Sequence, residues 1–291
     1  MDAAQIARVR EFNRYYTGRL GLLTDHYLGQ DRPLGQARLL YEIGHGGDLR
    51  ELRARLGLDS GYLSRLLRAL QKQGLVTVEP HPGDGRARVA RLTDAGRRER
   101  AELDDRSDQR IAGLLDGLSA GERDQLITAQ GQVHRLLRLA TITVDAVPAD
   151  APAARECLRR YAAELGTRFP EGYDAAALTP PAGVTGEQLL ACEDGVPAGC
   201  GLWTRLTPGV AEIRHLWVAP HARGLGLARR LLQRLESGAA RDGRATVRLG
   251  THTALTEAIT LYRRSGYHEI PGYSDSPYNQ LTFEKKIALK Q

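Results

Sequence analysis

Residues 218–232 read VAPHARGLGLARRLL. The strand-like run that leads into this stretch ends at Pro220, an arginine and two glycines follow, and an amphipathic helix is predicted after Gly226. Such a layout is suited to holding an anion against the backbone amides at the start of the helix.

The motif in this stretch is not one of the two common nucleotide loops. A dinucleotide fingerprint GxGxxG would require glycine at position 229, where the chain has Arg229, and no Gly-Lys-Ser/Thr follows as in a Walker A loop. What remains is Arg-x-x-Gly-x-Ala, in which glycines let the backbone approach a ligand closely and free helix amides point at it. A pyrophosphate fits that pattern, although three fixed positions in six are a weak signal without their context.

The context is provided by three blocks in a fixed order. Residues 210–220 precede the motif, residues 246–250 follow it, and residues 258–267 read AITLYRRSGY. Together they resemble the GNAT superfamily of acyl-CoA-dependent N-acetyltransferases, over about residues 141–288. The resemblance implies an α/β fold with a mixed, mostly antiparallel sheet, in which the strand before the motif splays from its neighbour.

The resemblance also implies a cosubstrate and site residues. Acetyl-CoA is the expected acyl donor, with Glu212 as the general base on the central strand and Tyr262 as the acid that protonates the leaving thiolate. A phenol has a pKa near 10 and is protonated at neutral pH. The residues expected to bind the cosubstrate are Leu216, Trp217 and Val218 along pantetheine, and Arg223, Gly224, Leu225, Gly226, Leu227 and Ala228 at the pyrophosphate.

Less specialised interpretations of these residues are also open. Glu212 can be a strand-edge carboxylate paired with an arginine, and Tyr262 can be core packing of an amphipathic helix. Strand alternation predicts that His215 points to the opposite sheet face from Glu212, Arg214 and Leu216, as a structural histidine. The acceptor amine is not identified, although residues 167–174 and 273–278 are candidates to line its pocket.

A second pattern lies in the first part of the chain. Asp48 begins a short predicted helix that stops at Gly57, and a second helix follows as far as Gly74. Leucines at i, i+3, i+4 and i+7 of the second helix predict a buried face. Its outer face carries Ser60, Ser64, Arg65, Arg68 and Lys72. Two helices joined by a tight turn indicate a helix-turn-helix, although this charge run alone would favour a solvated helix face.

A predicted β-hairpin follows, and alternation places Arg86 and Arg88 on one face near its tip, where they can straddle a duplex backbone or enter a narrow minor groove. The segments LSRLLRAL from residue 63, GLV from 74, DGR from 84 and LTDAG from 92 resemble MarR-type winged-helix regulators over about residues 5–139. The resemblance implies a mainly α, DNA-binding domain that forms a homodimer through its first and last two helices. It also implies that an Asp84–Arg86 pair fixes the tip of the wing.

Composition bounds these interpretations. The chain has 291 residues, which is long enough for two domains. Its net charge of +6 is compatible with nucleic acid or phosphates as partners. Three cysteines in no CxxC pair predict neither a metal site nor a disulfide framework. No apolar run approaches the roughly 20 residues that span a bilayer, and no signal peptide is recognisable, so we expect a cytoplasmic protein and no membrane partner.

The sequence pattern changes from helical spacing to strand-like runs near residues 139–142. We therefore predict a MarR-like DNA-binding and dimerisation domain over 1–140 and a GNAT acetyl-CoA-dependent N-acetyltransferase domain over 141–291. The predicted function is a bifunctional transcriptional regulator that binds a double-stranded operator and acetylates a primary amine of a small molecule or protein. The alternatives are a regulator whose second domain only senses acetyl-CoA or a metabolite, and an acetyltransferase whose winged helix only dimerises.

Overall fold

A computed structural model describes residues 2–21, 28, 32–45, 47–81 and 83–289, with the backbone alone at residues 84–86. The chain divides into two compact units, residues 1–125 and 126–291. The predicted domain boundary at residue 140 stays a prediction. Within the described residues, no helix is both long enough and apolar enough to cross a membrane.

The first unit is mainly helical and contains a two-stranded hairpin. Its elements are α1 (Ala3–Arg19), α2 (Leu34–Ile43), α3 (Leu49–Leu56), α4 (Ser60–Lys72), β1 (Val76–His81), β2 (Asp84–Leu92), α5 (Asp94–Leu115) and α6 (Ala120–Thr141), the last of which continues into the second unit. Strands β1 and β2 are antiparallel. The predicted continuation of the first helix through Leu23 lies outside the described residues.

Local capping signals explain the helix-turn-helix. The Asp48 carboxylate accepts hydrogen bonds from the amides of Arg50 and Glu51 at the start of α3, and the left-handed Gly57 (φ 62°) ends that helix. Asp59 then caps α4 by accepting from the Tyr62 amide at 2.8 Å. The predicted leucine face of α4 is buried in one core with α2, and consists of Leu63, Leu66, Leu67 and Leu70.

The second unit is an α/β layer structure. Its elements are β3 (Ile142–Val147), α7 (Pro152–Arg168), β4 (Gln188–Glu193), β5 (Val196–Thr207), β6 (Val210–Val218), α8 (Leu227–Arg241), β7 (Thr246–Thr251), α9 (Thr256–Arg264), β8 (His268–Ile270) and β9 (Leu281–Lys286). Within the described residues, seven strands form one sheet in the order β3-β4-β5-β6-β7-β9-β8. Among these seven strands only β6 and β7 pair in parallel; the other neighbours are antiparallel.

The sheet separates two apolar clusters. One cluster combines α8 and α9 residues such as Leu231 and Ile259 with the strands, and the other combines α7 with alternate strand residues such as Leu190 and Trp217. Because successive strand side chains point to opposite faces, Leu189 belongs to the first cluster and its neighbour Leu190 to the second.

Strand β6 carries a β-bulge that shapes the sheet. Its partner positions jump from Cys200–Trp217 to Leu202–Arg214, so β6 holds one residue more than β5 between them, and His215 has a φ of 54°. Pairing with β7 ends at Ile213–Leu249, whereas β6 continues to Val218. The mixed, mostly antiparallel and splayed sheet predicted from the sequence is confirmed.

Candidate functional site

A cleft of about 420 Å³ lies where β6 leaves β7. It is bounded by α7, the end of β6, the loop before α8, and α9. Of the nine residues predicted to bind the cosubstrate, eight line it: Leu216, Trp217, Val218, Arg223, Gly224, Gly226, Leu227 and Ala228. Leu225 does not, because its side chain is buried in the core cluster under α8.

The loop before α8 presents a row of unused backbone donors. Among the described residues, the amides of residues 224–229 have no hydrogen-bond acceptor, and the first main-chain bond of α8 runs from Arg230 to Gly226 at 3.2 Å. Gly224 and Gly226 have φ values of 76° and 92°, a region that residues with a Cβ rarely adopt. The row of amides therefore depends on these two glycines, and it coincides with the positive end of the helix dipole.

Arg223 is held at the mouth of the cleft by an acidic partner from α7. Its Nε donates to the Val218 carbonyl at 3.0 Å and its Nη2 donates to Glu164, which also accepts from Trp217 Nε1 at 2.9 Å. Burial acts to raise the pKa of Glu164, but the hydrogen bonds from Trp217 and Arg223 outweigh it and the pKa is lowered. An ionised Glu164 thus fixes the orientation of Arg223.

Arg168 joins α7 to α9 on the same cleft. It donates to the Glu257 carboxylate, at 2.9 Å for Nη2, and to the Ala254 carbonyl at 3.1 Å. Arg168 belongs to the segment 167–174 that the sequence suggested for the acceptor pocket; it is the last residue of α7 and takes part in an ionic network that lines the cleft. Neither Glu164 nor Glu257 was predicted, because nothing in the local sequence marks either residue as an arginine partner.

Glu212 is buried at the centre of β6. It is 8% exposed, accepts a hydrogen bond from the Tyr273 hydroxyl at 3.1 Å, and lies 3.8 Å from Arg214 Nε. Burial, and then the charge of Glu212, raise the pKa of Tyr273, so its phenol stays protonated and donating. The sequence also allowed Glu212 to be a carboxylate paired with an arginine. Arg214 provides this partner, although 3.8 Å is a long distance for an ion pair.

Tyr262 connects the cleft to a second, smaller cavity. The Tyr262 side chain is buried, and the residue lines both spaces. Its ring packs against Tyr267 and Phe283 at centroid distances of 6.0 Å, yet its hydroxyl has no hydrogen-bond partner among the described residues. Burial raises the pKa of Tyr262, which keeps the hydroxyl protonated and available as a donor.

The smaller cavity, of about 80 Å³, contains polar and aromatic groups. Glu212 and Arg214 line it from β6. Rings from the region between α7 and β4 and from the segment before β9 complete it: Phe169, Tyr173 and Tyr278. Both acceptor segments suggested by the sequence therefore contribute to one cavity beside the cleft.

His215 is not on the predicted face of the sheet. It lines the smaller cavity together with Glu212 and Arg214, and its ring lies 5.7 Å from that of Tyr161 on α7. The β-bulge is the reason, because the extra residue breaks the alternation between Arg214 and His215. The Nε2 atom accepts from the Thr179 amide at 2.9 Å, and burial lowers the pKa of His215 to about 3, so this histidine is neutral.

In the first unit, the predicted DNA-contact residues of α4 form one exposed face, consisting of Ser60, Ser64, Arg65, Arg68 and Lys72. Among the described residues, no carboxylate pairs with Arg65, Arg68 or Lys72. Arg88 is exposed on β2, and its Nη2 lies 3.4 Å from the Val78 carbonyl. The side chain of Arg86 and the predicted Asp84–Arg86 pair lie outside the described residues.

No metal site was predicted, and the part of the chain that the structure describes contains no cluster of three or more His, Cys, Asp or Glu side chains suited to a metal ion.

Two family models match this chain, one in each of its two parts. Residues 30–87 match the MarR family, and residues 154–267 match the Acetyltransferase (GNAT) family. The chain joins a MarR-family segment to a GNAT-family segment. The GNAT segment contains the cleft, Glu212 and Tyr262, and the MarR segment contains α4.

Two curated relatives and one solved structure are similar to parts of this chain. A stretch of 80 residues, 27% of the chain, is 36% identical to the IAA acetyltransferase of Azospirillum brasilense and covers 52% of it. A stretch of 78 residues, 26% of the chain, is 36% identical to the HTH-type transcriptional regulator YdgJ of Bacillus subtilis (strain 168) and covers 47% of it. The chain therefore spans about half the length of these relatives.

A putative acyl-CoA N-acyltransferase from Klebsiella pneumoniae subsp. pneumoniae MGH 78578 aligns over 50% of this chain and 98% of its own, with 26% identity and a TM-score of 0.43.

Proposed function

We propose that this protein is a bifunctional regulator that binds duplex DNA through its MarR segment and transfers acetyl from acetyl-CoA to a primary amine through its GNAT segment. The observation that carries the enzymatic half is the row of free amides at residues 224–229, which opens into a cleft that adjoins the cavity of Glu212.

The charge and the free backbone groups of the cleft support coenzyme A as its ligand. The free amides and Arg223 match the two negative phosphates of a pyrophosphate. The open space beside the glycines supports this placement, because a Cβ added at Gly224 or Gly226 would meet nothing within 4 Å. Beyond Ile213, the edge of β6 is not paired with β7, so the backbone of residues 216–218 is available to a peptide-like pantetheine arm.

The side chains around the junction of the two cavities supply the acid–base chemistry. Glu212 accepts a proton from the acceptor ammonium, directly or through a water molecule, so that the neutral amine nitrogen can form the new bond to the thioester carbon. As the carbon–sulfur bond breaks, Tyr262 donates its proton to the departing thiolate, and the second proton that the nitrogen loses replaces it through solvent. Backbone amides of β6 stabilise the oxyanion that develops on the carbonyl.

The regulatory half is a dimeric winged helix that reads an operator. We place α4 in the major groove and the β1–β2 wing against the minor groove, with Arg86 and Arg88 near the tip. The unpaired cations on α4 support this, because a face used only for solubility would gain from nearby carboxylates. The first and last two helices of this region would form the dimer interface.

The enzymatic proposal is tested by thiol release from acetyl-CoA across a panel of amines, with the full-length protein. We expect turnover with at least one amine and a loss of about 10²-fold or more in kcat for Glu212→Gln and Tyr262→Phe, the usual contribution of general acid–base catalysis. Glu187→Gln is the control, since Glu187 pairs with Arg241 and lines neither cavity.

Binding of coenzyme A without turnover of any amine would favour a sensor in place of an enzyme. Absence of coenzyme A binding in calorimetry would remove both interpretations of the cleft.

A further inference from the structure

The smaller cavity brings a base and a cation to the same face of β6. Glu212 and Arg214 are two residues apart on the strand, and their closest charged atoms are 3.8 Å from each other. The same cavity receives the rings of Phe169, Tyr173 and Tyr278. An acceptor in this space therefore meets a negative group, a positive group and apolar surface.

Arg214 is the arginine that lines the smaller cavity, and it differs from Arg168, Arg223 and Arg248 in having no close carboxylate partner. Arg168 and Arg223 are fixed by direct hydrogen bonds to Glu257 and Glu164, and Arg248 donates to Glu284 at 2.8 Å. Among the described residues, Arg214 has only the long pair with Glu212, and its side chain is 35% exposed. Its forked donors are therefore available to a ligand.

The apolar side of the cavity is a packed group of rings. The rings of Tyr173 and Tyr278 lie 4.6 Å apart, Phe169 lies 5.9 Å from Tyr278, and His252 stacks on Phe169 at 3.9 Å. His252 accepts from the Ala254 amide through Nδ1, and its Nε2 lies 2.9 Å from Glu171 Oε1, so both ring nitrogens already have partners within the protein. The cation that the cavity presents to an anionic ligand is thus Arg214.

We propose that the acceptor is a small amino-acid-type amine, with a carboxylate that binds Arg214, an ammonium that faces Glu212, and an apolar or aromatic body that packs on the three rings. This inference rests on the proposed acetyl transfer and assigns the substrate class. The product is the N-acetyl amino acid: the nitrogen–carbon bond forms and the carbon–sulfur bond breaks. Of the two protons that the ammonium loses, one passes to Glu212, and the other replaces, through solvent, the proton that Tyr262 gives to the thiolate. A protein lysine side chain has no carboxylate to satisfy Arg214.

The test compares amines that differ only in the carboxylate, namely phenylalanine with phenylethylamine and tyrosine with tyramine. With the full-length protein and acetyl-CoA, we expect kcat/KM to be at least about tenfold higher for each amino acid, as a charged hydrogen bond is typically worth this much. Arg214→Gln should raise KM for the amino acids and leave KM for the decarboxylated amines nearly unchanged, with Arg214→Lys restoring part of the preference. Arg263→Gln, an exposed arginine paired with Glu269, is the control.

Two outcomes contradict the inference: a preference for the decarboxylated amines, or an equal effect of Arg214→Gln on both members of a pair. Calorimetry of the same ligands in the presence of coenzyme A provides a readout that needs no turnover. If no amine is acetylated but the amino acids bind and Arg214→Gln abolishes that binding, the proposed enzymatic function fails and the ligand class stands. If the amino acids bind no tighter than the amines, the ligand class fails.

Discussion

At the scale of single residues, Gly226 shows how backbone conformation creates a ligand site. Its φ of 92° and ψ of 7° start α8 and aim the following amides into the cleft. For a residue with a Cβ, this left-handed region costs about 1–2 kcal/mol. The conformation is therefore maintained only because the position has no side chain.

We expect Gly226→Ala to lower the free energy of unfolding by about 1–2 kcal/mol and to weaken coenzyme A binding. Gly243→Ala is the matched control, because Gly243 also has a positive φ (77°) and open surroundings, but follows the end of α8 and lines neither cavity. Urea unfolding should show a similar loss for both variants, while calorimetry should show weaker binding for Gly226→Ala alone. Equal coenzyme A affinity in the two variants would contradict the assigned role of these amides.

The sequence predicts those cleft residues whose role depends on the conformation of their own short segment. The glycines before α8 are required by a turn of the chain itself, so their motif is visible in six residues. Glu164, in contrast, reaches Arg223 only through tertiary packing, and its position carries no local signal. The prediction for His215 was wrong because a β-bulge is set by strand pairing and leaves no mark in a two-residue periodicity.

At the scale of elements, α4 carries a cationic face that is independent of its buried leucines. Arg65 and Arg68 are exposed and one turn apart, and the leucine face anchors the helix in the core. The element was predictable from sequence because both its ends are capped locally, by Asp59 and by the left-handed Gly74. The arginines can therefore be removed without disturbing the fold.

The double substitution Arg65→Ala, Arg68→Ala should weaken binding to duplex DNA and flatten its salt dependence. The slope of log affinity against log salt should change by about 0.9 for each phosphate that the protein no longer neutralises. Fluorescence anisotropy over a salt series measures both the affinity and the slope. Arg98→Ala, which removes an exposed cation from α5, should change neither appreciably. An equal decrease in affinity for all variants would indicate a general charge effect and contradict a role for α4.

At the scale of the whole molecule, the single chain leaves large apolar side chains on the surface. In α1, Ile6, Val9 and Phe12 are 45%, 58% and 51% exposed, and Val133, Leu136 and Leu137 are exposed on α6. Apolar patches of this kind on helices mark interaction surfaces in soluble proteins. They support the proposed homodimer, which MarR-type operators with two half-sites would require.

We expect the protein to sediment as a dimer, and Val9→Glu to shift it toward monomer, because a charge would be buried without a partner in the interface. Val196→Glu is the matched control: the same substitution at a valine that is 57% exposed, at the β4–β5 turn. Sedimentation equilibrium distinguishes the two variants. A monomeric wild type, or the same response to both substitutions, would remove the dimer from the proposal.

The β-bulge in β6 gives such a protein a simple route to a new acceptor specificity. Because Arg214 and His215 reach the same space from adjacent positions, two neighbouring codons control much of what that space accepts, while the residues beneath them keep the sheet intact. Laboratory evolution directed at this pair could exchange one acceptor for another and leave the nucleotide-binding turn untouched.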